Sequence, residues 1–252
     1  MNKLQNKTAL ITGGSTGMGF ATAKLFIEEG AQVIITDIDE EQLNHAVTEL
    51  GENCRGVLSD TGSMDDIAAL MALIKAEYGQ LDILFANAGI AHYKPYTEVT
   101  EQHFDQTMQV NVKGLYFTVL QAVPLLPEGA SVILNTSIAN RIGTPGFAVY
   151  CASKAAVKSF TQSLAAELLP KKIKVNALSS GAIETGITHK FGLPEGTVEA
   201  HEAKALARVP MGRMGEAQEC AKVALFLATD DSSFILGSEI VVDGGISNIK
   251  AK

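Results

Sequence analysis

Short apolar runs of period two alternate with longer amphipathic runs of period 3.6 along most of the chain. Thr8–Thr12 reads as a strand and Gly17–Glu29 as a helix; the same change of period recurs at Gln32–Thr36 with Glu40–Leu50, and at Arg55–Leu58 with Met64–Tyr78. Leu81–Ala86, Ser131–Asn135, Lys174–Leu178 and Glu239–Val242 complete seven predicted strands, with further helices over about Glu101–Val123, Tyr150–Leu168 and Glu216–Leu227. Strands joined through helices of crossover length require a mostly parallel sheet covered on both faces, so the pattern predicts an α/β, doubly wound fold with seven strands. Gly181–Arg213 breaks the rhythm and is too long for an ordinary connection; a lid or binding segment is expected there, at about 181–213.

Composition narrows this picture. At 252 residues the chain exceeds a common domain length, but α/β units of ~250 residues occur. No repeat, low-complexity stretch or charge block divides it, so one domain over 1–252 is expected. The formal charge of −8 offers no attraction for phosphate backbones or anionic lipid, which excludes nucleic acid and membrane surfaces as expected partners. Met1–Lys7 lacks the charged-then-apolar order of a signal peptide, and no apolar run approaches ~18 residues, so a cytoplasmic protein is expected. Cys54, Cys151 and Cys220 are far apart and the five histidines show no ligand spacing; neither a disulfide nor a metal site is expected.

In doubly wound sheets ligands bind beyond the carboxyl ends of the strands. The segments that follow successive predicted strands are Gly13-Gly-Ser-Thr-Gly-Met-Gly19, Asp37, Asp60, Asn87-Ala88-Gly89, Ser137 and Ser180-Gly181, and they carry most of the polar chemistry in the chain. In the first of them Gly13, Gly17 and Gly19 permit turns and close approach, while Ser15, Thr16 and Met18 lead into a helix whose free N–H groups suit a pyrophosphate. The spacing is not G-x-G-x-x-G, and Phe20 in place of lysine excludes a P-loop. Gly13–Gly17 also matches the G-x-S-x-G elbow of hydrolases, but only twelve residues precede it, too few for the strands that elbow requires. Asp37 lies at the end of the second strand, where a carboxylate accepts hydrogen bonds from an adenosine ribose and repels a 2′-phosphate. Thr16 and Ile38 supply no cation to offset that repulsion, so the expected cofactor is NAD. The alternative is a solvated helix N-cap at Asp37 or Asp39.

Tyr150 and Lys154 stand one helical turn apart in Tyr-Cys-Ala-Ser-Lys, with Ser137 at the end of an apolar run before them. A phenol titrates near ~10, and an adjacent ammonium should pull that value down and make it usable in acid/base chemistry. Such pairs also arise by chance on surface helices.

Taken together, Thr12-Gly13-x-x-x-Gly17-x-Gly19, Asn87-Ala88-Gly89, Asn111, Ser137, Tyr150-x-x-x-Lys154, and Asn176 followed by Gly181 and Thr185 resemble the short-chain dehydrogenase/reductase family over nearly the whole chain. The resemblance implies a Rossmann fold and a catalytic tetrad. In it Tyr150 donates and accepts the proton, Lys154 lowers its pKa and holds the nicotinamide ribose, Ser137 orients the carbonyl, and Asn111 anchors a water relay. It further implies that Asp60 touches adenine, that Asn87–Gly89 lines the adenosine side, that Gly181 and Ile183 adjoin the cofactor, and that Thr185 approaches the carboxamide. Ser180 departs from the usual proline, which regains an N–H and is expected to soften the loop leading to the lid.

The function expected is NAD(H)-dependent interconversion of a secondary alcohol and a carbonyl compound. Two alternatives stay open, a 3-oxoacyl carrier-protein reductase and a nucleotide-binding regulator without turnover. Ser137, Ile138, Phe147, Ile187, His189 and Phe191 are expected to line a mainly apolar substrate pocket, with His189 and His92 open to a reading as surface loop residues. The helix from Tyr150 to Leu168 carries more apolar surface than one sheet can cover, so a second partner is expected for it, and the resemblance implies long helices paired between subunits of a homotetramer.

Overall fold

The computed structural model of the protein describes residues 2–249; residue 1 and residues 250–252 of the unit expected over 1–252 lie outside the described residues. The chain runs β1 (Thr8–Thr12), α1 (Gly17–Glu28), β2 (Gln32–Asp37), α2 (Glu40–Leu50), β3 (Cys54–Leu58), α3 (Met64–Glu77), β4 (Ile83–Ala86), α4 (Glu101–Met108), α5 (Leu115–Ala122), β5 (Ser131–Ser137), α6 (Ala148–Leu168) and β6 (Lys174–Ser180). It continues through β7 (Ile183–Glu184), α7 (Val198–Leu206), β8 (Gly215–Glu216) and α8 (Ala217–Ala228) to β9 (Glu239–Val242).

Seven strands form a parallel sheet in the order β3-β2-β1-β4-β5-β6-β9, and β7 pairs with β8 apart from it. Alternation along each strand sends neighbouring side chains to opposite faces. Leu10, Ile34, Leu84 and Val132 pack with Ile74, Val119 and Val157 of α3, α5 and α6. Ile11, Ile35, Phe85 and Ile133 pack with Phe26, Leu43 and Ala224 of α1, α2 and α8. Burial on both faces is why the strands read as nearly unbroken apolar runs.

The strand order reverses between β1 and β4, since the chain builds outward from β1 to β3 and then returns to add β4 on the other side. Crossover helices leave that edge in opposite directions, which opens a crevice at the carboxyl ends. Thr12 closes the floor of the crevice: its hydroxyl accepts from the N–H groups of Asn87 and Ala88, each at 3.0 Å.

Several element boundaries differ from the sequence reading by one or two residues, and three of the differences bear on the site. β5 and β6 run two residues further than expected, to Ser137 and Ser180, because Ser137 pairs with Ser180 and Ser180 with Val242. Ser180 therefore sits in a strand, buried and flanked on both sides, and the softening expected of a loop residue does not apply to it. The helix expected over Glu101–Val123 is interrupted by a π turn over Gln109–Gly114. There the Asn111 amide is tied to Ile90, and Gly114 lies so close to the Thr61 carbonyl that a Cβ would stand 2.0 Å from it.

Candidate active site

The glycine loop turns through positive φ at Gly13 (+61°) and Gly17 (+55°), conformations that a side chain would strain. A Cβ on Gly19 would stand 2.1 Å from the Gly13 carbonyl, so α1 can approach β1 only with glycine there. The N-terminus of α1 differs from its neighbours. Asp39, Ser63 and Thr100 cap α2, α3 and α4 by accepting from Gln42, Asp66 and His103 N–H groups, whereas Thr16 makes no side-chain cap and the first turn of α1 holds no acid. The first N–H groups of α1 are left for an anion. Thr185 lies over this end of the helix: a Cβ on Gly17 would come within 3.0 Å of its Cβ.

Around that cradle, Asp37 accepts the Ser15 hydroxyl on one carboxylate oxygen and the N–H groups of Ile38 (2.8 Å) and Asp39 (3.2 Å) on the other. Ile38 is exposed beside it, as is Asp60, whose carboxylate accepts from Gly62 N–H at 2.7 Å. Asn87 has a more internal role than lining implies. Its amide donates to the Thr12 and Gly13 carbonyls, both at 3.0 Å, and bonds Asn135, so it braces the loop against β4 and β5. Gly89 packs toward Asn111 and the Lys154 ammonium, where a Cβ would stand 3.1 Å from the Asn111 oxygen and 3.4 Å from Nζ. Met18 is half-buried on α1, and Ile183 is buried in β7 with Gly181 just before it.

Ser137, Tyr150 and Lys154 converge from β5 and α6. Lys154 is 3% exposed; its Nζ donates to the Asn135 carbonyl at 2.8 Å and lies 5.8 Å from the centre of the Tyr150 ring. Burial lowers its ammonium to about 8. Burial also raises the Tyr150 phenol, partly offset by a hydrogen bond with Ser137. The lowering of Tyr150 expected from Lys154 is therefore not what the protein alone displays, because the ammonium stands off the ring and is engaged by a carbonyl while desolvation acts on the phenol directly.

Asn111 is fully buried in the π turn. Its amide donates to the Ile90 carbonyl (2.8 Å) and the Ser153 hydroxyl (3.0 Å) and accepts from Ile90 N–H (2.8 Å), which ties the α4–α5 joint to the turn of α6 between Tyr150 and Lys154. A π turn widens the backbone locally and is a frequent mark of functional helices.

Tyr150 opens into a cavity of about 180 Å³. Ile138, Phe147, Ile187 and Phe191 line it, whereas Ser137, at the end of β5, is not among the lining residues. His189 is a correction: it is exposed and lies outside the lining, because the short turn Ile187–Lys190 directs the buried Thr188 inward instead. The histidine of the cavity is His201, on α7 with Glu202 and Ala205; Arg208, just past the helix, lines it too. Sequence reasoning missed this helix. Its signal was propensity, a run of Ala, Glu, Lys and Leu after Thr197, without the apolar stripe that packing against a core would impose.

Glu239 was missed as well. Its carboxylate, 6% exposed, accepts from Thr136 (2.7 Å), Asn140 and Arg141 and stands 3.4 Å from Lys158. It thereby joins β9, the turn after Ser137, and α6 one turn beyond Lys154. Only the sheet order brings these groups together.

A family model described as enoyl-(acyl carrier protein) reductase matches residues 13–247. The chain is 41% identical to oxidoreductase asL5 of Sarocladium schorii, over 99% of each chain. It is 39% identical to the 3-oxoacyl-[acyl-carrier-protein] reductase FabG of Thermotoga maritima, over 97% of this chain and 99% of that one. Among solved structures, a short-chain dehydrogenase/reductase titled glucose/ribitol dehydrogenase from Brucella melitensis superposes with a TM-score of 0.91 at 33% identity, covering 97% and 98% of the two chains. The fold and its crevice define a nicotinamide-dependent oxidoreductase of the doubly wound class. The chain belongs to the short-chain dehydrogenase/reductase family.

The buried ammonium has a measurable consequence. An unfolded lysine titrates near 10.5 and the folded Lys154 near 8. Below pH 8 both states hold the proton and the desolvation cost is fully present; between 8 and 10.5 the unfolded state binds more protons, so this residue's contribution to stability rises with pH. The urea midpoint of the protein should therefore rise relative to that of Lys154→Met between pH 8 and 10, and a constant or falling difference would show that the ammonium is solvated.

Proposed function

We propose that the protein is an NAD(H)-dependent alcohol dehydrogenase or carbonyl reductase acting on a secondary alcohol and its ketone. The observation that carries this reading is the Tyr150 phenol at the wall of an apolar cavity, with the Lys154 ammonium buried behind it and Ser137 bonded to it. The uncapped α1 N-terminus and the glycine cradle fit a pyrophosphate, and Asp37, aligned by Ser15, fits a ribose diol. Ser15, Thr16, Gly17, Met18 and Gly19 would form the phosphate side, Asp37, Ile38 and Asp60 the adenosine side, and Gly181, Ile183 and Thr185 the nicotinamide side. A nicotinamide bound there supplies or accepts the hydride.

The chain's own groups handle the proton. In reduction Tyr150 donates it to the carbonyl oxygen, and Ser137 donates a second hydrogen bond to the same oxygen as alkoxide character develops. Lys154 holds positive charge within reach of the phenolate left behind and is available to the ribose. Asn111 fixes the π turn against α6, where a water chain would refill the proton. Gly181–Arg213, with α7 across the cavity, would act as the lid.

A carrier-protein reductase is the second reading, favoured by the likeness to the Thermotoga maritima enzyme. Asp37 weighs against a cofactor with a 2′-phosphate, by ~4 kcal/mol per charge pair at 4 Å and an effective dielectric of ~20 before screening. The cation acting on this turn is Lys190, whose charge reaches Asp39 from an exposed loop. Solvent weakens it.

A homotetramer fits two apolar surfaces. Leu120 is exposed on α5 near the packed, mutually tilted rings of Tyr116 and Phe160, and the open edge of β9 adjoins the exposed Phe234 and Leu236.

Tyr150→Phe keeps the ring but removes the transferable proton, so turnover should fall ~10²-fold to 10⁴-fold while NADH binding is retained; wild-type turnover in this variant would overturn the mechanism. The ratio of kcat/KM for NADH over NADPH should lie between about tenfold and a thousandfold and shrink in Asp37→Ser. A ratio of one in the unmutated protein removes the cofactor assignment. Light scattering should return the mass of four chains, and the mass of one would exclude the assembly.

A further inference from the structure

The cavity beyond Tyr150 has a composition that selects among carbonyl substrates. Phe147, Phe191 and His201 form a mutually packed clamp: Phe147 and Phe191 meet edge to face at 5.1 Å and 70°, Phe191 and His201 at 5.8 Å and 83°, and Phe147 and His201 at 6.0 Å and 51°. Phe147 also meets the Tyr150 ring, at 6.4 Å and 73°, so the clamp begins at the reacting phenol. Three separate elements supply it: the N-cap of α6, the turn before Gly192, and α7.

That clamp is held in place. Tyr93 N–H donates to the Phe191 carbonyl at 2.7 Å, Lys94 N–H to the Gly146 carbonyl at 2.8 Å, and the Tyr93 ring packs on Phe147 at 5.7 Å. Gly146, at φ +81°, has the Tyr93 ring where a Cβ would be, 2.1 Å away. The loop after β4, the entry to α6 and the segment after β6 are thus one preformed wall.

We propose, building on the oxidoreductase reading above, that the substrate is an uncharged aryl ketone of a single ring with a short side chain, or the corresponding secondary alcohol. Ring edges and faces of the clamp complement an aromatic ring, which gains ~0.5 to 1.5 kcal/mol per aromatic pair beyond area burial. Size agrees: an apolar cavity of ~150 Å³ accepts benzene, and 180 Å³ leaves room for a ring with only a small substituent. A polyol fits the aromatic part of the cavity poorly, and its hydroxyls would have to reach Thr144, Thr188, Glu202 or Arg208 elsewhere in the lining. Each hydroxyl buried against Phe147, Phe191 or Ile187 without a partner costs ~1 to 3 kcal/mol. An acidic carrier protein meets a second obstacle in the net charge of −8 on this one.

The test measures kcat/KM with NADH for acetophenone, acetone, fructose and an acetoacetyl thioester, in the full chain and in Phe191→Ala and Phe191→Leu. Acetophenone should exceed fructose and the thioester by at least about a hundredfold. Phe191→Ala should lower the acetophenone value about 10-fold to 100-fold and by a larger factor than it lowers the acetone value, and Phe191→Leu should recover part of the loss. Fructose or the thioester equal to acetophenone, or an acetophenone-to-acetone ratio unchanged in Phe191→Ala, would overturn the substrate class and leave the oxidoreductase reading standing. No Tyr150-dependent NADH oxidation with any of the four would overturn both. A melting-temperature rise with 1-phenylethanol that disappears in Phe191→Ala would support the clamp independently of turnover.

Discussion

The site is organised around a buried ammonium. Lys154 has no carboxylate partner among the described residues, and its Nζ is bonded to the carbonyl of Asn135 inside the sheet. A lone buried charge is costly, and proteins commonly relieve that cost with a counter-ion or by losing the proton. Here burial brings the ammonium to about 8, still largely charged near neutrality, and the nearest titratable group across the cleft is Tyr150. The unbalanced charge is an unfinished interaction, directed toward the same wall that the phenol faces. Surrounding contacts brace this geometry from several sides: Ser153 of α6 to Asn111 of the π turn, Asn135 of β5 to Asn87, and Glu239 of β9 to Arg141 after Ser137.

The second constraint is backbone proximity at the switch point. Asn87 bonds the carbonyls of Thr12 and Gly13 while the Thr12 hydroxyl receives Asn87 and Ala88, so β1 and β4 are cross-linked where their crossovers diverge. Glycine at 19 lets α1 start immediately above this joint, with its free N–H groups over the crevice. Asp37 and Ser15 then mark one end of the groove and the Tyr150 group the other. An extended two-part ligand would meet anion donors in the middle and a carboxylate at one end, the order of groups in a dinucleotide.

Conversely, the substrate side depends on elements with little core of their own. No residue of α7 is buried, and the segment from Gly181 onward is held through backbone contacts such as Tyr93 to Phe191 and Gly215 to Ala182. Such elements have low local stability and can move while the sheet stays fixed. On the proposed reading, proton transfer belongs to α6 and β5, and substrate selection to the wall that Phe147, Phe191 and His201 form.

Periodicity alone determined the seven strands and their parallel arrangement, because strands buried on both faces must be apolar throughout and crossover helices must be amphipathic. Local spacing likewise determined the glycine turn, Asp37 at the end of its strand, and Tyr150 one helical turn before Lys154, since each is a property of consecutive residues. The tertiary structure decided what depends on distant segments meeting. Asn135 as the acceptor for Lys154, Glu239 beneath Arg141, and the π turn that seats Asn111 against Ile90 all join residues far apart in the chain, and no period records them. The replacement of His189 by His201 in the cavity has the same cause: a polar, propensity-driven helix carries no core-facing stripe, so its inward side is set by what it packs across rather than by its own pattern.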